Sequence, residues 1–165
     1  MAGAKRGLNT RIKVVGGWLT FSMKDAQLVE WRRPVEHFAA AARDFSPVFE
    51  AYARYMERSI DRNFAAEGRP DRWAGLQPAT IVQRIQLGFG AGPILQRTGR
   101  LKRSFRFTWG PRSFRISNLA HYFPHHQFGA PRANIPQRAM IVLLDQDKRE
   151  FTKMARRHLM PGAKR

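Results

Sequence analysis

The chain has no cysteine, which excludes disulfides, thiolate nucleophiles and thiolate metal ligands and leaves stability to a packed core and to assembly. It is also short of acid. Asp and Glu number 12 against 30 Lys and Arg, for a net charge of +18, and no acidic residue lies between Asp71 and Asp145. That acid-free stretch holds His121, His125 and His126, but a zinc or iron site there would have to borrow carboxylates from far along the chain, so no metal or cofactor is expected. Nothing approaches the roughly 20 apolar residues that cross a bilayer. Lys5, Arg6, Arg11 and Lys13 ahead of Val14 and Val15 superficially resemble a leader peptide. The apolar part is short, broken by Gly16, Gly17 and Thr20, and followed by no small-residue cleavage site, so a soluble cytoplasmic product with no membrane contact is expected.

What is present is enough for one core. Apolar residues make up 43% of 165 positions and include twelve Phe, which argues against wholesale disorder. The charge points to an acidic partner, either nucleic acid or an acidic protein surface, and the excess of Arg over Lys favours bidentate contacts to carboxylate or phosphate. A merely solvated basic surface is the plainer alternative.

Along the chain, Ile12, Val14, Val15, Trp18, Leu19 and Phe21 suffice for one or two short strands bent at Gly16 and Gly17. Over residues 26–43, Pro34 predicts a break near Arg33 and a helix from there to Arg43. Ser46 is the expected cap of the next helix, with Pro47 at its first position and Glu50 complementing its dipole. Within it, Val48, Phe49, Tyr52, Tyr55, Met56, Ile60 and Phe64 recur at intervals that make one apolar face. Arg54, Glu57, Arg58, Asp61 and Arg62 fall opposite. Such a stripe is read as core rather than as an aromatic cofactor box.

Gly68 should end this helix, and Trp73 and Leu76 should pin the following loop to the core before a short helix over 79–87. Residues 88–93 are glycine-rich but lack the strand and the Gly-Lys-Ser or Gly-Lys-Thr of a phosphate loop, and so read as a mobile contact loop with Phe89 at its tip. A turn or two of helix capped by Thr98 precedes a hairpin of residues 104–108 and 113–117. Phe105, Phe107 and Trp109 share one face of it, suited to covering the long helix or, as the sharper alternative, to stacking bases. A short aromatic helix over 119–128 should end at Gly129. Pro131 and Pro136 hold an exposed loop, Ala139 to Leu144 reads as a third, buried strand, and Asp145 caps a final helix to about Leu159.

Three fragments carry a resemblance. Asn63-Phe64 with Pro70, Trp73 and Leu76, then Ile94-Leu95 with Thr98-Gly99, Leu101 and Ser104, then Tyr122, His126-Gln127, Gly129, Ile135-Pro136 and Arg138, stand in the order and spacing of the phage virion morphogenesis family. The resemblance runs from about Ser46 to Leu159 and leaves the first 45 residues outside it. Phe123 and Gly75 depart from the pattern. It implies a structural, tail-completion or neck protein at the head-to-tail junction, resident in the virion and assembled in the host cytoplasm. Its implied partners are neck and tail proteins such as the connector, adaptor and tail terminator, and it would form a homo-oligomeric ring around the DNA channel, hexameric if it follows tail symmetry. The signature positions are Trp73, Leu76, Thr98, Gly99, Leu101, Tyr122, His126, Gln127, Gly129, Pro136 and Arg138.

The expected architecture is α+β: a long central helix on a small, mainly antiparallel sheet, with short flanking helices and an N-terminal arm. Residues 1–45 would form the arm and short elements, 46–160 the tail-completion-like domain, and 161–165 a basic tail. The arms hold too little apolar surface to offset their backbone entropy, so Lys5, Arg6, Arg11, Lys164 and Arg165 are expected to dock on acidic neighbouring chains. No nucleophile stands beside a base and no carboxylate pair is poised, so an enzyme is not expected. The alternative is a basic nucleic-acid-binding protein using the same arginines on phosphates, and a further one is a metal-dependent enzyme built on the three histidines.

Overall fold

The computed structural model describes residues 11–15, 18–22 and 25–162, and the chain divides into two compact units, one ending at Ala42 and the other beginning at Arg43. In the first, β1 (Arg11–Val15) and β2 (Trp18–Ser22) pair antiparallel from Arg11↔Ser22 to Val15↔Trp18, so this segment forms two short strands, within the one or two expected. Arg11 is the first residue of β1. Lys5, Arg6, Lys164 and Arg165 lie outside the described residues.

Helix α1 (Asp25–Arg43) runs through Pro34 without the break expected near Arg33. The pyrrolidine ring already has a helical φ, so the continuous helix gives up one hydrogen bond and keeps the rest of its ladder.

The second unit is built on α2 (Ser46–Ala65). Its cap is Phe45, one residue earlier than expected, and the Ser46 amide donates to Asp44 Oδ1 at 2.8 Å, so Asp44 supplies the acceptor assigned to Ser46. The apolar stripe is buried as its spacing predicts: Val48, Tyr52, Met56, Ile60 and Phe64 are all below 7% exposed. Each such side chain contributes about 1.5 to 3 kcal/mol by leaving water. Phe64 meets Trp73 and Phe105 edge-on at 5.5 and 6.2 Å, while Phe49 stacks between Phe114 and Phe151. The aromatic stripe is thus core.

Helix α6 (Asp145–Leu159) packs along α2. Asp145 is its first residue, and the cap is made by Asp147, whose Oδ2 accepts from the Leu144 amide at 2.9 Å. Asp147 is fully buried, and its Oδ1 accepts from Tyr55 Oη at 2.8 Å and Ser59 Oγ at 3.0 Å. One carboxylate therefore caps α6 and clamps it to α2. Burial, then the Asp147 charge, pushes the Tyr52 phenol up to about 12. Asp147→Asn should cost only about 1 to 2 kcal/mol, because the amide can turn its oxygen to Leu144 and its NH2 to hydroxyls that rotate to accept. Urea unfolding checks this, and a loss as large as that of Asp147→Ala would refute it.

The other elements follow the expected order. The long helix ends in a tight reversal at Gly68, whose φ is +119° and where a Cβ would lie 2.5 Å from the Asp71 carbonyl oxygen, so only glycine fits. Helix α3 (Pro78–Gln86) and the short α4 (Arg100–Arg103) come next; α4 is capped by Gly99, in the left-handed region, rather than by Thr98. Strands β3 (Phe105–Gly110) and β4 (Ser113–Asn118) form an antiparallel hairpin whose β3 side packs on α2. Phe105 is buried and Phe107 packs against the core, so this face covers the long helix as its alternation predicts. Helix α5 (Phe123–Phe128) begins four residues later than expected, with Pro124 in its first turn.

The α+β class stands. The third strand does not: residues 139–144 form no ladder, and the described sheets are the two hairpins.

Candidate functional site

The segment that fails to become a strand is held instead by side chains. The Gln127 Oε1 accepts from the Met140 and Ile141 amides at 2.9 and 3.0 Å, and its Nε2 donates to the Ile141 carbonyl at 3.0 Å. Asn63 Nδ2 donates to the Ala139 and Met140 carbonyls at 3.0 and 2.8 Å, and Trp73 Nε1 donates to Ala139 at 3.0 Å. Three side chains thereby replace a neighbouring strand, which is how a buried apolar run can satisfy its backbone without a sheet.

The loop before it is closed at its base. Gly129, at φ +79°, turns the chain where a Cβ would press on the Gln137 amide at 3.1 Å. Ala130 and Ile135 exchange backbone hydrogen bonds at 2.9 and 3.1 Å across a single turn of 3-10 helix, Pro131–Ala133. The Arg138 amide donates to the His126 carbonyl at 2.7 Å. Buried Arg138 then reaches out with Nε to the Ala74 carbonyl at 2.8 Å and with Nη2 to Gly75 at 2.7 Å. It ties the loop after α2 to the loop after α5, and burial lowers its pKa from the ordinary guanidinium value.

These ties shape one wall of an open cleft of about 1080 Å³. Among the predicted positions, Leu76, Thr98, Leu101, Tyr122, His126, Pro136 and Arg138 line it. The rest serve from behind: Trp73 in the core, Gln127 on the 139–141 backbone, Gly99 as the cap of α4 and Gly129 at the turn. His121 and His125 are exposed and outside the cleft.

The sequence reading missed the cleft's cations. Arg84, Arg97, Arg100 and Arg103 line it alongside Arg138, with no acidic residue among them. The absence of acid between Asp71 and Asp145 was the signal available for this. Arg103 Nη2 donates to the Thr98 carbonyl at 2.8 Å, and the Arg97 guanidinium sits over the Phe89 ring at 5.4 Å.

The model of the phage virion morphogenesis family matches residues 25–160. The chain belongs to that family. The match starts well before Ser46 and takes in α1, so the family resemblance reaches further toward the N-terminus than the three fragments indicate. Membership in the virion morphogenesis family gives the protein a structural or assembly role in the virion, associated with other virion proteins. No curated protein and no solved structure matches the chain. Among the described residues, no helix is long and apolar enough to cross a membrane.

In this family member, one signature residue is titratable near neutrality. His126 is half-buried with Nδ1 unpartnered, and burial first, then the Arg138 and His125 charges, lowers its pKa from 6.5. The unfolded chain therefore takes up this proton at a higher pH than the folded one. Stability should fall as pH drops below about 6.5 and level off below the folded pKa. His126→Gln should flatten that part of the profile in thermal melts between pH 7.5 and 5. An unchanged slope would show that His126 is not the group responsible.

Proposed function

We propose that the protein is a non-enzymatic subunit of the phage neck, in a tail-completion or connector role that joins tail to head around the DNA channel. The observation that carries this reading is the family match over residues 25–160. Two features support it: the signature side chains Trp73, Gln127 and Arg138 act on backbone as ties instead of converging on a reacting centre, and the net charge of +18 suits an acidic neighbour or channel DNA. The subunits form a homo-oligomeric ring, hexameric in keeping with tail symmetry, between connector, adaptor and tail-terminator proteins. Lys5, Arg6, Lys164 and Arg165 dock on acidic faces of adjacent chains.

Disrupting the coding sequence in the phage should leave filled heads and finished tails unjoined in electron micrographs, with joining restored by the protein supplied in trans. Mass spectrometry of intact particles should give a copy number that is a multiple of six. Normal particles from the disrupted phage, or absence of the protein from purified virions, would overturn the proposal.

A further inference from the structure

The cleft holds a charge that the chain itself does not complete. Arg84 is 4% exposed, its Nη1 donates to the Pro93 carbonyl at 3.2 Å, and its Nε and Nη2 have no hydrogen-bond partner. Two idle donors on a buried guanidinium leave its charge poorly compensated, so the cleft favours an anion. Arg97, Arg100 and Arg103 line the same cleft, and among the described residues none of the four makes an ion pair. Apolar side chains, Leu76 and Leu95 among them, line it too.

We propose that this cleft receives an acidic peptide segment of a different protein. Carboxylates pair with the exposed Arg97 and Arg100, drawn also by the uncompensated charge of Arg84 in the same cleft, and an apolar neighbour in the peptide sits on Leu76 and Leu95. Concavity decides between possible anions. Duplex phosphates lie on the outside of a wide rod and do not follow the walls of a cleft, and single strands bind on stacked rings, of which the cleft wall offers Tyr122 alone among Phe, Tyr and Trp. A second copy of this chain is disfavoured by the charge of +18, and among the described residues six acidic side chains already pair with its own Lys or Arg. That the partner is a virion protein rests on the proposed function, whereas the cleft chemistry stands apart from it.

Fluorescence anisotropy on the purified full chain tests this with three labelled probes. They are a peptide alternating leucine and glutamate, its leucine and glutamine counterpart, and a single-stranded oligonucleotide of equal length. The acidic peptide should bind at least roughly tenfold more tightly than either control, and the double variant Arg97→Ala with Arg100→Ala, both exposed positions, should lose roughly tenfold. Arg84→Met should lose a similar factor yet raise the melting temperature, since it removes an incompletely paired buried charge; a purely structural arginine would lower it and leave binding intact. If Arg84→Met does not fold, the double variant decides. No binding of the acidic peptide, or binding unchanged in the double variant, overturns the inference. So does tighter oligonucleotide binding lost in that variant, which would make the cleft a phosphate site. Particle composition tests the neck role separately, so a silent peptide with the protein present in virions removes only this inference.

Discussion

Gln127→Ala should lower unfolding free energy by about 3 to 5 kcal/mol, because it strips partners from two amides and one carbonyl of the 140–141 backbone at once. Met140 is fully buried, so water cannot easily take over. A small domain holds only about 5 to 15 kcal/mol in total, so the variant should be partly unfolded at physiological temperature. Gln127→Glu separates the contributions: its carboxylate still accepts from both amides but cannot donate to the Ile141 carbonyl. The denaturant midpoint should rank parent, Glu, Ala. Equal midpoints for parent and Ala would mean that residues 139–144 are held by packing alone.

Trp73→Ala should cost about as much, roughly 3 to 5 kcal/mol, through a different mixture of effects. The ring is 9% exposed, lies edge-on to Phe64 at 5.5 Å, and its Nε1 holds the Ala139 carbonyl. Truncation leaves a cavity beside the end of α2. Trp73→Phe should keep most of the packing and lose about 1 to 2 kcal/mol with the hydrogen bond. Thermal melts of both variants check the order. A Trp73→Ala protein that melts like the parent but fails to join heads to tails would make Trp73 a docking residue instead.

Residues whose role is set by near neighbours were legible in the sequence. The three-and-four spacing in α2, the alternation about Pro111 and Arg112, and the amphipathic pattern of α6 each state a local preference that packing then honours. Residues 139–144 misled for the complementary reason. An apolar run needs partners for its backbone, and periodicity cannot reveal that these are Asn63, Trp73 and Gln127, set elsewhere in the chain. Two of the three stood within the recognised signature positions, but a motif shows that a residue matters without showing what it holds. The helix caps slipped by a residue because Asp44 and Asp147 act from outside and inside the expected position. The cleft was half visible: its acid-free charge could be read from composition, but the convergence of Arg84 with Arg97 and Arg100 depends on the turns between them at Gly88, Gly90 and Gly99.

The ties across the core also set a timetable for synthesis. Asn63 and Trp73 wait for Ala139, and Tyr55 and Ser59 wait for Asp147, contacts separated by between 66 and 92 positions. Until residue 147 has left the ribosome, α2 lacks its carboxylate clamp and part of its apolar cover, however early its helical turns form. The half-made chain therefore carries a helix of balanced charge whose apolar face is still uncovered. It has to remain uncommitted until the segment around 139–147 arrives, and only then does the core close.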